Sequence, residues 1–448
     1  MNDGPRTITE ARELLVSGAL TPSTLLEICL ARIDKYEPSV QAWAYLDRAR
    51  ARHEAAKLDR AEYREPLWGI PVGIKDIIDV ADMPTGCGSR LWANSIARDD
   101  ATCVRRLRDA GALILGKTVT TPYAFTDPAK TRNPWNTTRT PGGSSSGSAA
   151  AVACGMCLAA LGTQTGGSTT RPASYCGVAS LKASYGRVSA KGSLALAAEL
   201  DHVGIMANDV RGLAVVFECI AGPDGWLEAN REPVPDCSAT VEANGTAPPG
   251  EYLTAGGLFD AHCTPAMRLV FAATLAKIAA FHAPVSKVVM PACFAEVPTA
   301  HRLIMAVGAA DVHAERLARH PDDYPSAIRK LVEEGIAANG LTFARARKLQ
   351  DGLREQFDAI LGEKRFLLVP AATDFAPTLE TTGNPVFNVP WSFLGAPTVS
   401  VPVGWNDDGM PFAVQLVGAT NNEAKLLCAA RYLEWEFALP PRPLPEPT

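Results

Sequence analysis

The sequence predicts an α/β fold, a single domain built on a mixed β-sheet. Three observations lead there. Short apolar stretches of strand type, bounded by Gly and Pro, recur between Gly69 and Gly418 and are interleaved with amphipathic helical stretches. Two of these stretches, "APTVSVPVGW" and "MPFAVQLVG", flank Asn406-Asp407-Asp408-Gly409, which reads as a hairpin turn. The chain has 448 residues, 47% apolar and 20% charged. At this size roughly 75% of the surface can be buried, so the core needs no staples.

The elements follow in order. Residues 1–65 form an N-terminal helical segment. Thr21-Pro22 supplies a cap and a first-turn proline ahead of Leu25, Leu26, Cys29, Leu30 and Ile33 at helical spacing. A core segment follows over 66–220. It contains strand-like "GIPVGIKDIIDV" (69–80), helical "DATCVRRLRDA", strand-like "GALILGKT" (111–118), a helix from about Ser148 to Leu161, strand-like "GVASLKA" (177–183) and a helix over 208–221. Residues 228–250, with four prolines, read as a surface loop and not as a domain boundary. Over 251–448, helices dominate 264–360, strands return at "RFLLVPA" and the hairpin, and a last helix covers about 421–436.

Charge and composition exclude several classes. The net charge is −5, and the basic clusters Arg48/Arg50/Arg52 and Arg345/Arg347/Lys348 sit in helical patterns as solvated faces, so no nucleic-acid partner is expected. The N-terminus lacks an apolar signal core, and the apolar tract around 266–285 carries Arg268 and Lys277, so no membrane association is expected. Eleven irregularly spaced cysteines fit a reducing, cytoplasmic location. Cys154-Gly-Met-Cys157 lies in an Ala-rich run with no second pair at zinc spacing and reads as packing. No metal or cofactor is implied.

The chemistry concentrates in residues 140–177, where glycines and hydroxyls surround a single charged residue, Arg171. Three readings compete there and nearby. Gly111–Thr118 formally matches a phosphate-binding loop, but its four intervening residues are Ala-Leu-Ile-Leu, a buried-strand sequence where a pliable loop is required. Gly143–Gly147 matches a nucleophile elbow centred on Ser145, with His202 beside Asp201 as its base, but the elbow must follow a strand directly and "TRNPWNTTRTPG" is a loop. The third reading pairs the two serine clusters with a lysine. A serine nucleophile needs a base, and Lys75, flanked by apolar residues, can serve if burial keeps it neutral. A lysine that simply pairs with Asp76 or Asp79 is the competing account of that position.

At these residues the chain resembles a known family. "GIPVGIKDIIDVADMPTGCGS", "RLRDAGALILGKT", "TRNPWNTTRTPGGSSSGSAAAVA" and "GTQTGGSTTRPASYCGVASLK" are similar, in order and spacing, to the amidase signature enzymes, and "GNPVFNVPWSFLGAPTVSVPVG" and "VQLVG" extend the likeness to about residue 420. The resemblance implies a central mixed, twisted sheet covered by helices on both faces, and hydrolysis of a small amide through a serine acyl-enzyme. It assigns Lys75 as catalytic lysine, Ser144 as bridging serine after a cis peptide, and Ser168, 24 residues on, as nucleophile. It assigns the oxyanion donors to Thr165, Gly166, Gly167 and Ser168. Gln164 stands where many members have Asp. It is expected, with Ser145, to help position substrate. Arg171, three residues after Ser168, is expected to hold a substrate carboxylate, against the alternative of a structural arginine paired with an internal acid. An amidotransferase-type subunit that passes ammonia to a partner is the alternative within the family. The oligomeric state is open, with a homodimer among the expectations.

Overall fold

Strands with small or apolar residues on both sides dominate the centre of the chain, and in the computed structural model they join into one mixed sheet. The model describes residues 4–61, 66–224, 232–248, 250–281, 283–440, 444 and 446. Among these, eleven strands are found: β1 (Trp43–Leu46), β2 (Pro71–Lys75), β3 (Leu113–Thr118), β4 (Ala159–Gln164), β5 (Ala179–Lys182), β6 (His202–Ala207), β7 (Glu251–Ala255), β8 (Val285–Val288), β9 (Arg365–Pro370), β10 (Thr398–Trp405) and β11 (Pro411–Val417). Their order across the sheet is β1-β3-β2-β4-β6-β5-β10-β11-β9-β7-β8. β3, β2 and β4 run parallel to one another, as do β9, β7 and β8, while the strands between are antiparallel.

Alternation of side chains assigns the two faces. Leu161, Leu181 and Ile205 pack on one face with Leu213, Val216 and Leu426 of the helices Val210–Ile220 and Glu423–Phe437. Ala160 and Met206 pack on the other with Leu26 and Leu30 of Pro22–Val40 and with Ala149–Ala153. A separate cluster around Trp391, Ile304 and Phe357 closes the β9 side under the helices Val297–Arg319 and Gly340–Leu361. No helix among the described residues is long and apolar enough to cross a membrane.

Several expectations are corrected. The helix expected over 148–161 runs Ser146–Ala153 and then stops, and residues from Ala159 form β4. Gly155, at φ +65, is the reason. Its N–H donates to Val152 O and that of Met156 donates to Ala151 O, both at 2.9 Å, the paired bonds of a Schellman stop. β1 interrupts the N-terminal segment read as wholly helical, and pairs with β3. Within 228–250, helix Cys237–Asn244 buries Cys237 and Val241 beneath the last helix. Residues 225–231 and 249 lie outside the described ones. Gly111–Thr118 forms no phosphate loop. It is the fully buried β3 and its lead-in, with Lys117 Nζ donating to Pro84 O (2.9 Å) and Thr85 Oγ1 (3.0 Å) and lying 3.2 Å from Asp76.

Candidate active site

Lys75 is the last residue of β2, a strand buried throughout. Val72 and Ile74 join the hydrophobic core, and alternation turns Lys75 to the opposite face. Its Nζ lies 2.8 Å from Ser144 Oγ and 2.7 Å from Thr163 Oγ1. The acid next to it in sequence is spent elsewhere: Asp76 pairs with Lys117 and accepts the N–H of Gly86. Among the described residues Lys75 Nζ hydrogen-bonds to hydroxyls only. Burial pushes its pKa down to about 7, and the charge of Asp201 works against that fall.

Ser144 follows a cis peptide from Gly143. Gly142, at φ +84, has no room for a side chain, because a Cβ would stand 2.9 Å from Pro172 Cα. Ser145 N–H donates to Ser168 O (3.2 Å), which ties the two serine segments together. Ser168 is half-buried at the wall of a cavity of about 420 Å³. Its hydroxyl makes no hydrogen bond among the described residues. The backbone N–H groups of Gly166, Gly167 and Ser168 likewise have no acceptor among those residues, and a Cβ at Gly167 would fall 2.5 Å from Asn388 Oδ1 and crowd the Asn388 side chain.

The other predicted residues separate into framework and cavity. Ser145 is fully buried, with its Oγ donating to Thr163 O at 3.2 Å. Gln164 is also fully buried. Its amide oxygen accepts the N–H groups of Thr169 and Thr170 (3.0 and 3.1 Å), and its amide nitrogen donates to Ser392 Oγ (3.2 Å). Both were expected to meet substrate, but neither lines the cavity, because their polar atoms are committed to backbone and neighbour. The elbow reading fails on the same geometry: His202 bonds to Leu200 O through Nδ1 (2.7 Å), and Asp201 accepts from Thr165 Oγ1 (2.5 Å). Thr163 and Asp201 are the neighbours of Lys75 that sequence reading did not assign, and nothing in their local pattern marks them.

Arg171 does line the cavity. Its Nε donates to Thr382 O and one terminal nitrogen to Gly143 O, both at 2.7 Å, while the other terminal nitrogen is buried with no hydrogen-bond partner among the described residues. Burial lowers its pKa to about 10. No carboxylate pairs with it among the described residues, so the internal-acid alternative finds no acid. Lys330 and Arg302 also reach the cavity wall, to which no described Asp or Glu contributes.

Comparison with known proteins gives the family and the fold. The model of the Amidase family matches residues 24–427. A glutamyl-tRNA(Gln) amidotransferase subunit of Oleidesulfovibrio alaskensis is 33% identical, over 97% of this chain and 98% of that one. A solved structure described as an unexpected vestigial protein complex that reveals the evolutionary origins of an s-triazine catabolic enzyme superposes with TM-score 0.89 at 28% identity, over 96% of this chain and 98% of that one. The native peptide amidase from Stenotrophomonas maltophilia superposes with TM-score 0.83 at 27% identity, over 99% of each chain. The chain belongs to the amidase signature family.

Proposed function

We propose that the chain hydrolyses the C–N bond of a small carboxylated amide through an acyl-enzyme on Ser168. The observation that carries this reading is a buried lysine within 2.8 Å of Ser144 Oγ that pairs with no carboxylate among the described residues. Neutral Lys75 takes the proton of Ser144, and Ser144 takes that of Ser168, whose hydroxyl turns toward it when substrate enters. Ser168 Oγ then bonds to the amide carbon. The oxyanion is received by the N–H groups of the loop Thr165–Ser168. The relay returns the proton to nitrogen, the C–N bond breaks, and ammonia or an amine leaves. Water, deprotonated by the same relay, attacks the acyl carbon and frees Ser168 and a carboxylic acid.

Arg171 supports the carboxylate. A buried guanidinium without a counter-charge is costly, and a substrate carboxylate on its free nitrogen supplies both charge and hydrogen bond. The test is ammonia release by the isolated chain from malonamate, succinamate, propionamide and benzamide. Malonamate or succinamate is expected to be the better substrate, Ser168→Ala to abolish turnover, and Arg171→Ala to lose ~10²-fold or more on the carboxylated amides while sparing propionamide relative to them. Equal losses on all four would leave Arg171 a purely structural group.

A second reading has its own support in the relatives named as glutamyl-tRNA(Gln) amidotransferase subunits. Under it the substrate amide is glutamine-like, the ammonia passes to a partner protein, and the isolated chain is silent on the panel. A cytoplasmic location, on the cysteine pattern given above, and self-association into a homodimer belong to these proposals.

A further inference from the structure

Resting on that acyl-enzyme reading, we propose that His301 is a positioning residue that aims the oxyanion donors, from a helix outside the glycine- and serine-rich segment. It lies on the helix Val297–Arg319, where Pro298, His301 and Met305 share the face turned to the cavity. His301 Nε2 is 2.8 Å from Thr165 O. A carbonyl only accepts, so Nε2 carries the hydrogen. Burial holds the ring neutral by pushing its pKa down to about 4.

The force of this contact comes from peptide geometry. In a trans peptide the carbonyl of one residue and the N–H of the next point in opposite directions. Holding Thr165 O toward His301 therefore turns the N–H of Gly166 the other way. The next two peptides are held alike: Ser392 Oγ donates to Gly166 O (3.0 Å), which sets the N–H of Gly167, and Arg171 N–H donates to Gly167 O (3.0 Å), which sets that of Ser168. Three consecutive carbonyls are held, two by side chains of other helices and the third by the first turn of the helix that follows, and the three N–H groups after them are the ones left without an acceptor among the described residues. Gly166 and Gly167 have no side chains to resist rotation, so the clamps do what a Cβ cannot. Thr165 is additionally tied through Oγ1 to Asp201.

The test uses a fluorophosphonate, which bonds to a serine nucleophile with loss of fluoride and places its phosphoryl oxygen among oxyanion donors. The rate of adduct formation on the full-length chain is read by intact mass, so no natural substrate is needed. Wild type is expected to label and Ser168→Ala not to. His301→Leu is expected to slow labelling ~10–100-fold, below the ~10²–10³ of a donor removed outright. His301→Gln, which keeps an N–H at the same reach, is expected to return within ~5-fold of wild type. For hydrolysis of malonamate the loss in His301→Leu falls on kcat, with KM moved less than ~3-fold. Ser392→Ala, which cuts the neighbouring clamp, is expected to slow labelling at least ~5-fold and carries the test if His301→Leu does not fold. Wild type and Ser168→Ala labelling alike would overturn the catalytic reading beneath and the clamp with it. Ser168-dependent labelling left at the wild-type rate by His301→Leu, or by Ser392→Ala, would overturn the clamp alone, as would equal slowing in His301→Leu and His301→Gln.

Discussion

In the mechanism proposed above, Lys75 works as a base only while it is uncharged, and its surroundings set the pH at which that happens. With its pKa pushed down to about 7, kcat/KM should rise about tenfold per pH unit below that value and level off above it. A pH profile of ammonia release checks this, and a profile flat down to pH 5 would remove the lysine from the relay. The sign of the Asp201 effect gives a second check. Its negative charge favours the ammonium form, so Asp201→Asn should move the acidic limb to lower pH, whatever it does to the plateau. At this scale the site is unevenly legible in sequence. Lys75, Ser144 and Ser168 stand in unusual company, a lysine between apolar residues and serines between glycines, so their neighbours betray them. Arg171 was visible as the one charge in its stretch. His301 and Ser392 were not, because each occupies an ordinary turn of an ordinary helix far along the chain. What makes them relevant is the carbonyl they meet.

Elements position the site through contacts that leave little space. The helix Ser146–Ala153 starts two residues after Ser144 and docks with Gly147 against backbone: a Cβ there would lie 2.2 Å from Ala42 O and 2.3 Å from Val119 N. Gly147→Ala cannot be absorbed by a rotamer change, because the obstacles are main-chain atoms. We expect a loss of about 3 kcal/mol or more of stability, at the upper end for overpacking, read as a lowered urea midpoint. Unchanged stability would mean that helix and β1–β3 edge are free to separate. The same close approach explains what the sequence concealed. Ala149–Ala153 and Ala159–Ala160 are small for packing reasons in both a helix and a central strand, so composition cannot distinguish them. Only Gly155 marks the boundary. β1 is four residues long, beneath what alternation can resolve. The hairpin β10–β11 was legible because turn chemistry and alternation agree there.

The whole molecule carries the cost of this chemistry in its stability. Lys75 has a pKa of about 7 in the fold against 10.5 for an ordinary lysine. Between those values the unfolded chain binds a proton that the native chain does not, so raising the pH through this window favours the native state. Below about pH 7 both states are charged, and the fold bears the full burden of a buried ammonium. Lys182, buried against Ala396 O and also lowered to about 7, adds a contribution of the same sign. Substituting Lys75→Met keeps the volume and removes one of the two. It also strands the hydroxyls of Ser144 and Thr163, which costs the variant a roughly constant ~1–3 kcal/mol at any pH. The informative quantity is therefore the change in the stability gap. Between pH 7 and pH 10 wild type should gain on Lys75→Met, by at most ~3.5 kcal/mol, the part of the shift that falls inside that range. Urea unfolding of both proteins across that range measures it. A gap that stays constant would mean that the lysine is charged in the native state at neutral pH, and the same protein would then have no base for Ser144.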